Sequence, residues 1–350
     1  MTRAAPRVLL VKLSSLGDVV HAMPAVQDMV RAIPGVQIDW VVEKAFAPLV
    51  GRCQGVQAVI PCEIRRWRKA PLAQVTRNAW SAFKAQLQAQ RYDAVIDLQG
   101  LSKSALVAWL ARTTAAGRKF AMANQTDGSG YEVPTRWVAD VAIALEPHVH
   151  AVQRSRLLCA QALGYSVEGA ARFGLQGKAL AGAGLQGQSP ARTVALVHGT
   201  SRADKEWPLD HWIALGQRLN AQGLAVALTH GSAKERVQSE RIAAALQHAT
   251  VWPDMALDQL TDSLATCEGV IGVDSGLSHM AVALDLPHVQ IYNFDTAWRT
   301  GVHNAYQQCV FATPTPAVDT VWQAWSACHA ARQTGAAGGA RSNVPGGGAA

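Results

Sequence analysis

The residues best placed for chemistry stand in a short turn near the start of the chain. Residues 7–24, RVLLVKLSSLGDVVHAMP, predict a buried strand over 8–13, a small-residue turn and an amphipathic helix that begins at Asp18. The N–H groups of such a turn and the dipole of its helix point at whatever binds at the carboxyl end of the sheet. A carboxylate there can be held ionised and aimed, so Asp18 is a candidate general base. The alternative is that Asp18 only caps the helix.

Three polar turns in the second half of the chain form a second candidate site. Each follows a predicted strand, at 193–197, 224–229 and 269–273, and the three turns should converge at one sheet edge. Their hydroxyls and N–H groups suit a diphosphate, a nearby lysine supplies the positive charge that a departing diphosphate needs, and the carboxylates can accept from sugar hydroxyls. Taken singly, each of these residues could instead be a helix cap or a solvated side chain. The candidates are Thr200, Ser201, Lys205, Glu235, Asp274, Ser275, Gly276 and His279.

Four cations surround one tryptophan at residues 65–69, RRWRK. We call Arg65, Arg66, Arg68 and Lys69 the basic run. Arginine forks match phosphate oxygens, and the Trp67 ring could pack on an acyl chain or a sugar, so the segment is a candidate phosphate clamp. A solvated surface is the alternative.

The order of the elements predicts the fold class. Strands and helices alternate along the first half, which predicts a parallel sheet with right-handed crossovers, and the same alternation restarts after a Gly- and Ala-rich stretch at 175–190. The chain is therefore expected to be α/β, with two similar halves. Neither strand-to-helix turn has the G-x-G-x-x-G pattern, which disfavours a nicotinamide oxidoreductase.

Composition narrows the class of partner. The 350 residues are 49% hydrophobic and 16% charged, as in a globular protein, and the net charge of +7 indicates an anionic partner. No nucleic-acid recognition motif accompanies that charge. The six cysteines are widely spaced and no Cys/His cluster has zinc spacing, so we expect neither disulfides nor a structural metal. Residues 1–6 are too short for a signal peptide and no apolar run reaches membrane-spanning length, so we expect a cytoplasmic protein with at most peripheral membrane contact.

Six segments together make a specific resemblance. They are VKLSSLGDVVHAMPA, DWVVE at 39–43, the RRWRK segment, DLQGLSKSA at 97–105, TSRADKEWP at 200–208 and VDSGLSHMAVAL at 273–284. Over roughly residues 7–292 the chain resembles the ADP-heptose glycosyltransferase family (glycosyltransferase family 9) of lipopolysaccharide inner-core synthesis. The SSLGD and RRWRK stretches favour its heptosyltransferase I branch over its heptosyltransferase II branch.

The resemblance implies a GT-B architecture, with two Rossmann-like domains whose parallel sheets face a central cleft. Four segments follow from it. They are an acceptor domain over 1–170, an ADP-heptose-binding domain over 171–316, a terminal helix over 317–333 that returns to the N-terminal domain, and a disordered tail over 334–350.

The resemblance also implies roles for single residues. Asp18 matches the catalytic base, and the basic run matches residues near the acceptor's phosphates and carboxylates. Thr200, Ser201 and Lys205 match diphosphate contacts, Glu235 a ribose contact and Met255 a residue beside the adenine. Asp274, Ser275, Gly276 and His279 match heptose and phosphate contacts.

The implied reaction is an inverting transfer of L-glycero-D-manno-heptose from ADP-heptose to Kdo of Kdo2-lipid A, without metal or cofactor. It would take place on the cytoplasmic face of the inner membrane of a Gram-negative bacterium, with peripheral contact to the anionic surface. Alternatives are a related glycosyltransferase with another acceptor, and a non-catalytic protein that binds sugar nucleotides. The chain departs from the family at 121–133 and at 293–306, and we expect these departures to leave the donor motif untouched.

Overall fold

The computed structural model describes residues 5–178, 192–302 and 304–340, except for the side chains of 335–340. Two compact units are present, one formed by Met1–Gly177 with Ala256–Thr261 and the other by Lys178–Met255 with Asp262–Ala350. Most of the Gly- and Ala-rich stretch expected as a linker, 179–190, lies outside the described residues.

The first unit is a six-stranded parallel sheet with helices on both faces. Its strands are β1 (Arg7–Val11), β2 (Gln37–Glu43), β3 (Val56–Cys62), β4 (Tyr92–Asp97), β5 (Thr113–Met122) and β6 (Val141–Ile143). Its helices are α1 (Leu16–Ala32), α2 (Ala47–Val50), α3 (Ile64–Trp67), α4 (Gln74–Leu87), α5 (Ser102–Leu110), α6 (Pro134–Val138) and α7 (Ala151–Leu163). One core cluster joins side chains of α3, α4 and α5 to β1 and β4, while α1 packs against α7.

The second unit repeats this architecture. Its strands are β7 (Thr193–Val197), β8 (Ala225–Leu228), β9 (Ala249–Val251), β10 (Gly269–Val273), β11 (His288–Tyr292) and β12 (Gln307–Phe311). Its helices are α8 (Leu209–Ala221), α9 (Ala233–Ala244), α10 (Leu257–Ala265), α11 (Gly276–Ala283), α12 (Ala297–Thr300) and α13 (Val318–Ala340), with α10 beginning in the first unit. Short 3-10 helices lie at Lys44–Phe46 and Ala203–Lys205.

The strand order shows where a crevice forms at the edge of each sheet. The sheets run β3-β2-β1-β4-β5-β6 and β12-β11-β10-β7-β8-β9, with all neighbouring strands parallel, so both have the Rossmann order. In such sheets the chain leaves the two central strands in opposite directions, which opens a crevice at their carboxyl ends. That point lies beyond β1 and β4 in the first unit and beyond β7 and β10 in the second.

The terminal helix packs on the second unit. The buried side chains of α13, Val321, Trp325 and Cys328, complete the apolar core of the second unit against β11 and β12. This apolar face closes the core of its own unit, and the return to the N-terminal domain that the resemblance implies stays a prediction. The helix also continues through Ala340, past the predicted tail start at 334, and residues 341–350 lie outside the described part.

Four strands of the structure are not predicted by the sequence, namely β5 and the edge strands β6, β9 and β12. These four strands are short or partly exposed, so they lack a strong apolar pattern. None of the helices in the described residues is both long enough and apolar enough to cross a membrane.

Candidate active site

The turn after β1 presents Asp18 at the crevice edge of the first sheet. The helix begins at Leu16, two residues earlier than predicted, so Asp18 lies inside its first turn rather than at its start. Asp18 Oδ2 accepts hydrogen bonds from Ser15 N (3.1 Å) and Ser15 Oγ (2.8 Å). These bonds fix the carboxylate on the helix N-terminus, where the helix dipole favours its ionised form.

Two buried cations face the other oxygen of Asp18. Lys12 Nζ and Arg154 Nη2 lie 3.7 and 3.6 Å from Oδ1, and their side chains are only 4% and 5% exposed, against 34% for Asp18. Burial alone would raise the pKa of Asp18, but the charges of Lys12, His21 and Arg154 and the Ser15 hydrogen bond outweigh it and hold that pKa well below its usual range. Asp18 is therefore ionised at every physiological pH.

The turn that carries Asp18 is held by residues from the neighbouring strand and helix. Gln99 Oε1 accepts from the backbone N–H groups of Leu13 and Ser14, both at 3.0 Å, and Lys103 Nζ donates to Ser14 Oγ at 2.8 Å. Gln99 and Lys103 belong to the DLQGLSKSA segment, which was noted only as part of the resemblance. Their position beside a loop that is distant in sequence could not be predicted from local pattern.

Two carboxylates near this turn have raised pKa values. Burial raises the pKa of Asp97 to about 6, although Gln99 N, Gly100 N and Ser104 Oγ donate to it. Burial also raises the pKa of Glu43, and the charge of Lys103 partly opposes that shift. The crevice edge of the first sheet thus combines an ionised, accessible carboxylate with buried groups of both signs.

The basic run lies on α3 and the residues that follow it. Its four cations are exposed, and Arg66 Nη1 pairs with Glu63 Oε1 at 3.2 Å. Trp67 points inward instead, and is 8% exposed with its ring against those of Trp80 and Phe83 at 5.5 and 5.4 Å. The suggestion that Trp67 packs on an acyl chain or a sugar is therefore wrong, because the ring belongs to the core beneath the cations.

Asp274 is the centre of the site in the second unit. It follows β10 and is nearly buried, with Lys205 Nζ 2.5 Å from Oδ2 and His279 Nε2 3.4 Å from Oδ1. Gln290 Nε2 also donates to Oδ1 at 3.4 Å. Burial alone would raise the pKa of Asp274, but the hydrogen bonds and charges of His279 and Lys205 outweigh it and keep that pKa well below its usual range.

Hydroxyl and amide groups surround this carboxylate. Thr200 Oγ1 donates to the backbone oxygen of Asp274 at 3.4 Å, which ties the turn after β7 to the turn after β10. Ser201 is exposed. Ser275 precedes α11, whose first residue is Gly276, so the unpaired N–H groups of that helix open beside Asp274. This combination of N–H groups, hydroxyls and an ammonium suits a phosphate-bearing ligand.

Glu235 lies close to the same turn. Its Oε2 accepts from Gly231 N at 2.7 Å, and a Cβ added to Gly199 would lie 2.7 Å from its carboxyl carbon. A glycine at 199 is therefore what allows the carboxylate to sit against the backbone next to Thr200. Met255 is the outlying candidate, since its Sδ accepts from Ser263 Oγ on α10 at 3.6 Å.

The departure from the family at 293 does contact the donor motif. Asn293 Nδ2 donates to the backbone oxygens of Asp204 and Glu206, both at 2.9 Å, and its Oδ1 accepts from Thr315 Oγ1 at 2.8 Å. These carbonyls flank Lys205, so Asn293 clamps the segment that carries the ammonium. Asn293 reaches this segment because it directly follows β11, whose end lies beside the 3-10 turn.

Comparison with known proteins adds independent findings. Residues 80–323 match the sequence profile of glycosyltransferase family 9 (heptosyltransferase). The chain is 40% identical over 307 residues to lipopolysaccharide heptosyltransferase 1 of Pseudomonas aeruginosa, covering 86% of this chain and 82% of that protein. It is 38% identical over 290 residues to lipopolysaccharide heptosyltransferase 1 of Escherichia coli K12, covering 82% and 87%.

Solved structures agree with the sequence relatives. The E. coli heptosyltransferase WaaC with ADP superposes with a TM-score of 0.80 at 34% identity, covering 91% of this chain and 98% of that one. WaaC with ADP-2-deoxy-2-fluoro heptose gives a TM-score of 0.76 over the same shares. Together with the two parallel Rossmann-ordered sheets, these likenesses confirm the predicted α/β GT-B fold class.

Proposed function

The chain belongs to glycosyltransferase family 9 (heptosyltransferase) and is a glycosyltransferase, and from that premise we propose the reaction that it catalyses. It transfers L-glycero-D-manno-heptose from ADP-heptose to a Kdo residue of Kdo2-lipid A, in lipopolysaccharide inner-core synthesis. The observation that carries the proposal is the 38–40% identity, over most of the chain, to proteins named lipopolysaccharide heptosyltransferase 1.

We propose that the donor binds to the second unit. Lys205 and the hydroxyls of Thr200 and Ser201 bind the diphosphate, together with the N–H groups of Ser275 and Gly276. Asp274 accepts from heptose hydroxyls and His279 supports it. Glu235 accepts from the ribose, and Met255 lies by the adenine. The ion pair of Lys205 with Asp274 supports this assignment, since a diphosphate can share the ammonium that the carboxylate now holds.

We propose that Asp18 is the general base of the transfer. Asp18 Oδ takes the proton of a Kdo hydroxyl while that oxygen forms its bond to the anomeric carbon of the heptose. The bond from the anomeric carbon to the diphosphate oxygen breaks on the opposite face, so the configuration inverts and ADP leaves. ADP departs as a stable anion whose charge Lys205 and the α11 N–H groups stabilise, so no second carboxylate has to protonate it.

The low pKa of Asp18 determines when its proton transfer takes place. A strongly ionised carboxylate is always free to accept, yet it is a weak base toward a resting hydroxyl. The hydroxyl proton becomes acidic only as its oxygen bonds to carbon, so Asp18 accepts it late. Lys12 and Arg154 hold Asp18 in place until then, which fits their short distances to Oδ1.

We propose that the acceptor is recognised by the basic run, whose four exposed cations suit its phosphates and carboxylates. Since the proposed acceptor is a membrane lipid, we also propose that the reaction takes place at the cytoplasmic face of the inner membrane. The net charge of +7 favours peripheral contact with that anionic surface.

The experiment is transfer from ADP-heptose to Kdo2-lipid A by the purified chain in EDTA, with Asp18→Asn beside it. Asparagine keeps the size of the side chain and removes the base. We expect a rate loss of about 10²–10⁴-fold with unchanged ADP binding by calorimetry. Asp127→Asn, an exposed aspartate of the same unit, is the matched control.

The outcomes separate the parts of the proposal. A tenth of the wild-type rate in Asp18→Asn would remove Asp18 as the base. Wild-type chain that binds ADP-heptose but transfers nothing to Kdo2-lipid A would keep the donor site and point to a different acceptor. Rate loss in EDTA that added divalent metal restores would contradict metal independence.

A further inference from the structure

One face of the first sheet is covered by four helices of unusual composition. Helices α3, α4, α5 and α6 contain no Asp or Glu, and we call them the helical layer. Helices α3, α4 and α5 contribute side chains to one core cluster, and Val138 of α6 packs against it. The layer carries six cations: Arg65, Arg66, Arg77, Lys84, Lys103 and Arg136. Its outer surface therefore presents positive charge that no acid of the same helices offsets.

Exposed apolar side chains concentrate on the same layer. In the part of the chain that the structure describes, nine large hydrophobic side chains are exposed, and six of them lie on or next to these helices. They are Leu72, Val75, Leu106, Trp109, Val133 and Trp137. Trp109 and Trp137 are 63% and 77% exposed, although tryptophan is usually largely buried.

The two tryptophans lie on helices that pack against each other. Leu106 and Trp109 are three residues apart on α5, so they share a face of that helix, and α5 packs directly against α6, which carries Trp137. Cations lie close in the structure or in the sequence, since Lys119 Nζ donates to the backbone oxygen of Trp109 at 2.9 Å and Arg136 precedes Trp137.

Acids flank the helical layer, and Glu63 pairs with Arg66 at 3.2 Å. The carboxylate of Glu132 accepts from Ser102 N at 2.7 Å and also from the Ser102 hydroxyl. Asp140 accepts from the backbone N–H of Lys119 at 2.7 Å. Glu63, Glu132 and Asp140 keep their negative charges, but the six cations of the helical layer outnumber these three acids, so positive charge is in excess.

We propose that the helical layer docks on an anionic phospholipid bilayer, with Trp109 and Trp137 inserted at the headgroup level. Tryptophan favours the boundary between water and hydrocarbon, where its ring is buried and its N–H stays hydrated. Lysine and arginine beside such rings add attraction to anionic headgroups. The absence of acids over four helices is the charge complementarity that selects this partner.

Helix α5 of the layer also contacts the turn that precedes Asp18. Lys103, which donates to Ser14 in the turn before Asp18, lies six residues before Trp109 on α5, about 9 Å along the helix axis. The same short helix thus joins the lipid contact to the turn that holds the base. This role in catalysis rests on the proposed lipid-linked acceptor, whereas the lipid binding itself does not.

The test is co-sedimentation with sucrose-loaded vesicles, either of phosphatidylcholine alone or of phosphatidylcholine with phosphatidylglycerol. We expect wild-type chain to bind the phosphatidylglycerol vesicles and to be released by salt. Trp109→Ser with Trp137→Ser should lower the partition coefficient about tenfold or more. Phe311→Ser, at an exposed aromatic position of the second unit, is the matched control and should bind like wild type.

Activity provides a readout that separates this inference from the proposed function. The double variant should transfer heptose to a deacylated, water-soluble acceptor at the wild-type rate, and to acceptor in vesicles several-fold more slowly. The inference would be overturned if the wild-type chain bound equally to vesicles with and without phosphatidylglycerol, or if the double variant bound like wild type. So would ultracentrifugation showing that the two tryptophans instead pair two copies of the chain.

Discussion

Asn293 offers the sharpest test of how the proposed donor site is built. Its side chain is 7% exposed and bonds to the carbonyls on both sides of Lys205 and to the hydroxyl of Thr315. Asn293→Ala removes all three hydrogen bonds and leaves the ammonium itself in place. The variant therefore tests whether the Lys205 ammonium binds the diphosphate only when Asn293 holds the backbone on both sides of it.

The structure bounds the size of the effect. A hydrogen bond of this kind contributes about 1 kcal/mol net, so the three bonds lost amount to about 2–3 kcal/mol, part of it in global stability. The loss in donor binding is limited by what Lys205 supplies to the diphosphate, about 1.5–3 kcal/mol for a hydrogen bond to a charged group. We expect the KM for ADP-heptose and the Kd for ADP to rise about tenfold, and less than in Lys205→Ala.

A double-mutant cycle is the assay. Donor kcat/KM and ADP affinity by calorimetry are measured for wild type, Asn293→Ala, Lys205→Ala and the double variant. If Asn293 acts through Lys205, the second substitution should add almost nothing once the lysine is gone, giving a coupling of about 1 kcal/mol or more.

Asn220→Ala is the matched control, because Asn220 Nδ2 likewise donates to two backbone oxygens, those of Leu224 and His248, in the same unit. It should lower the melting temperature without changing donor affinity. Additive effects in the cycle, or an Asn293→Ala variant that loses stability alone, would refute the reasoning.

Three further predictions follow from the same structure. Replacing the whole basic run with serine should raise acceptor KM at least tenfold and leave ADP affinity unchanged, because its cations are exposed in the first unit; an unchanged acceptor KM would return the run to a solvated surface. Gly199→Ala should displace Glu235 and weaken ADP binding several-fold. Gly231→Ala is the control and should bind ADP like wild type, because its added Cβ makes only an ordinary van der Waals contact. Equal ADP affinities of the two variants in calorimetry would contradict the ribose assignment of Glu235. Burial raises the pKa of Asp97 to about 6, so between about pH 4 and pH 6 the folded state keeps a proton that the unfolded chain has already released. The free energy of unfolding should therefore fall as pH rises through this range, by up to about 3 kcal/mol. Denaturant titration should show that fall in wild type and a smaller one in Asp97→Asn, and parallel curves would show that Asp97 does not titrate there.

Local pattern was enough to predict much of the fold. Apolar runs followed by small polar turns and amphipathic helices predicted the central strands of both sheets, because fully buried strands read as continuous hydrophobic stretches. The turns at the ends of these strands hold the candidate residues, since the carboxyl edge of a parallel sheet is where such turns must meet. Asp18, Thr200, Lys205 and Asp274 could therefore be selected without coordinates.

Contacts between distant segments had to come from the tertiary structure. Lys12 appeared in the sequence only as one charge in a buried strand, and Arg154 as one of two arginines on a later helix, yet packing aims both at Asp18. Asn293 and Lys205 are likewise joined only by folding, because β11 ends where the 3-10 turn passes. The side chain of Trp67 is buried because its ring packs against those of Trp80 and Phe83, and the four cations around it in the sequence gave no sign of this contact. Residue type and spacing thus determined which groups could react, and long-range packing decided how each is charged, held and aimed.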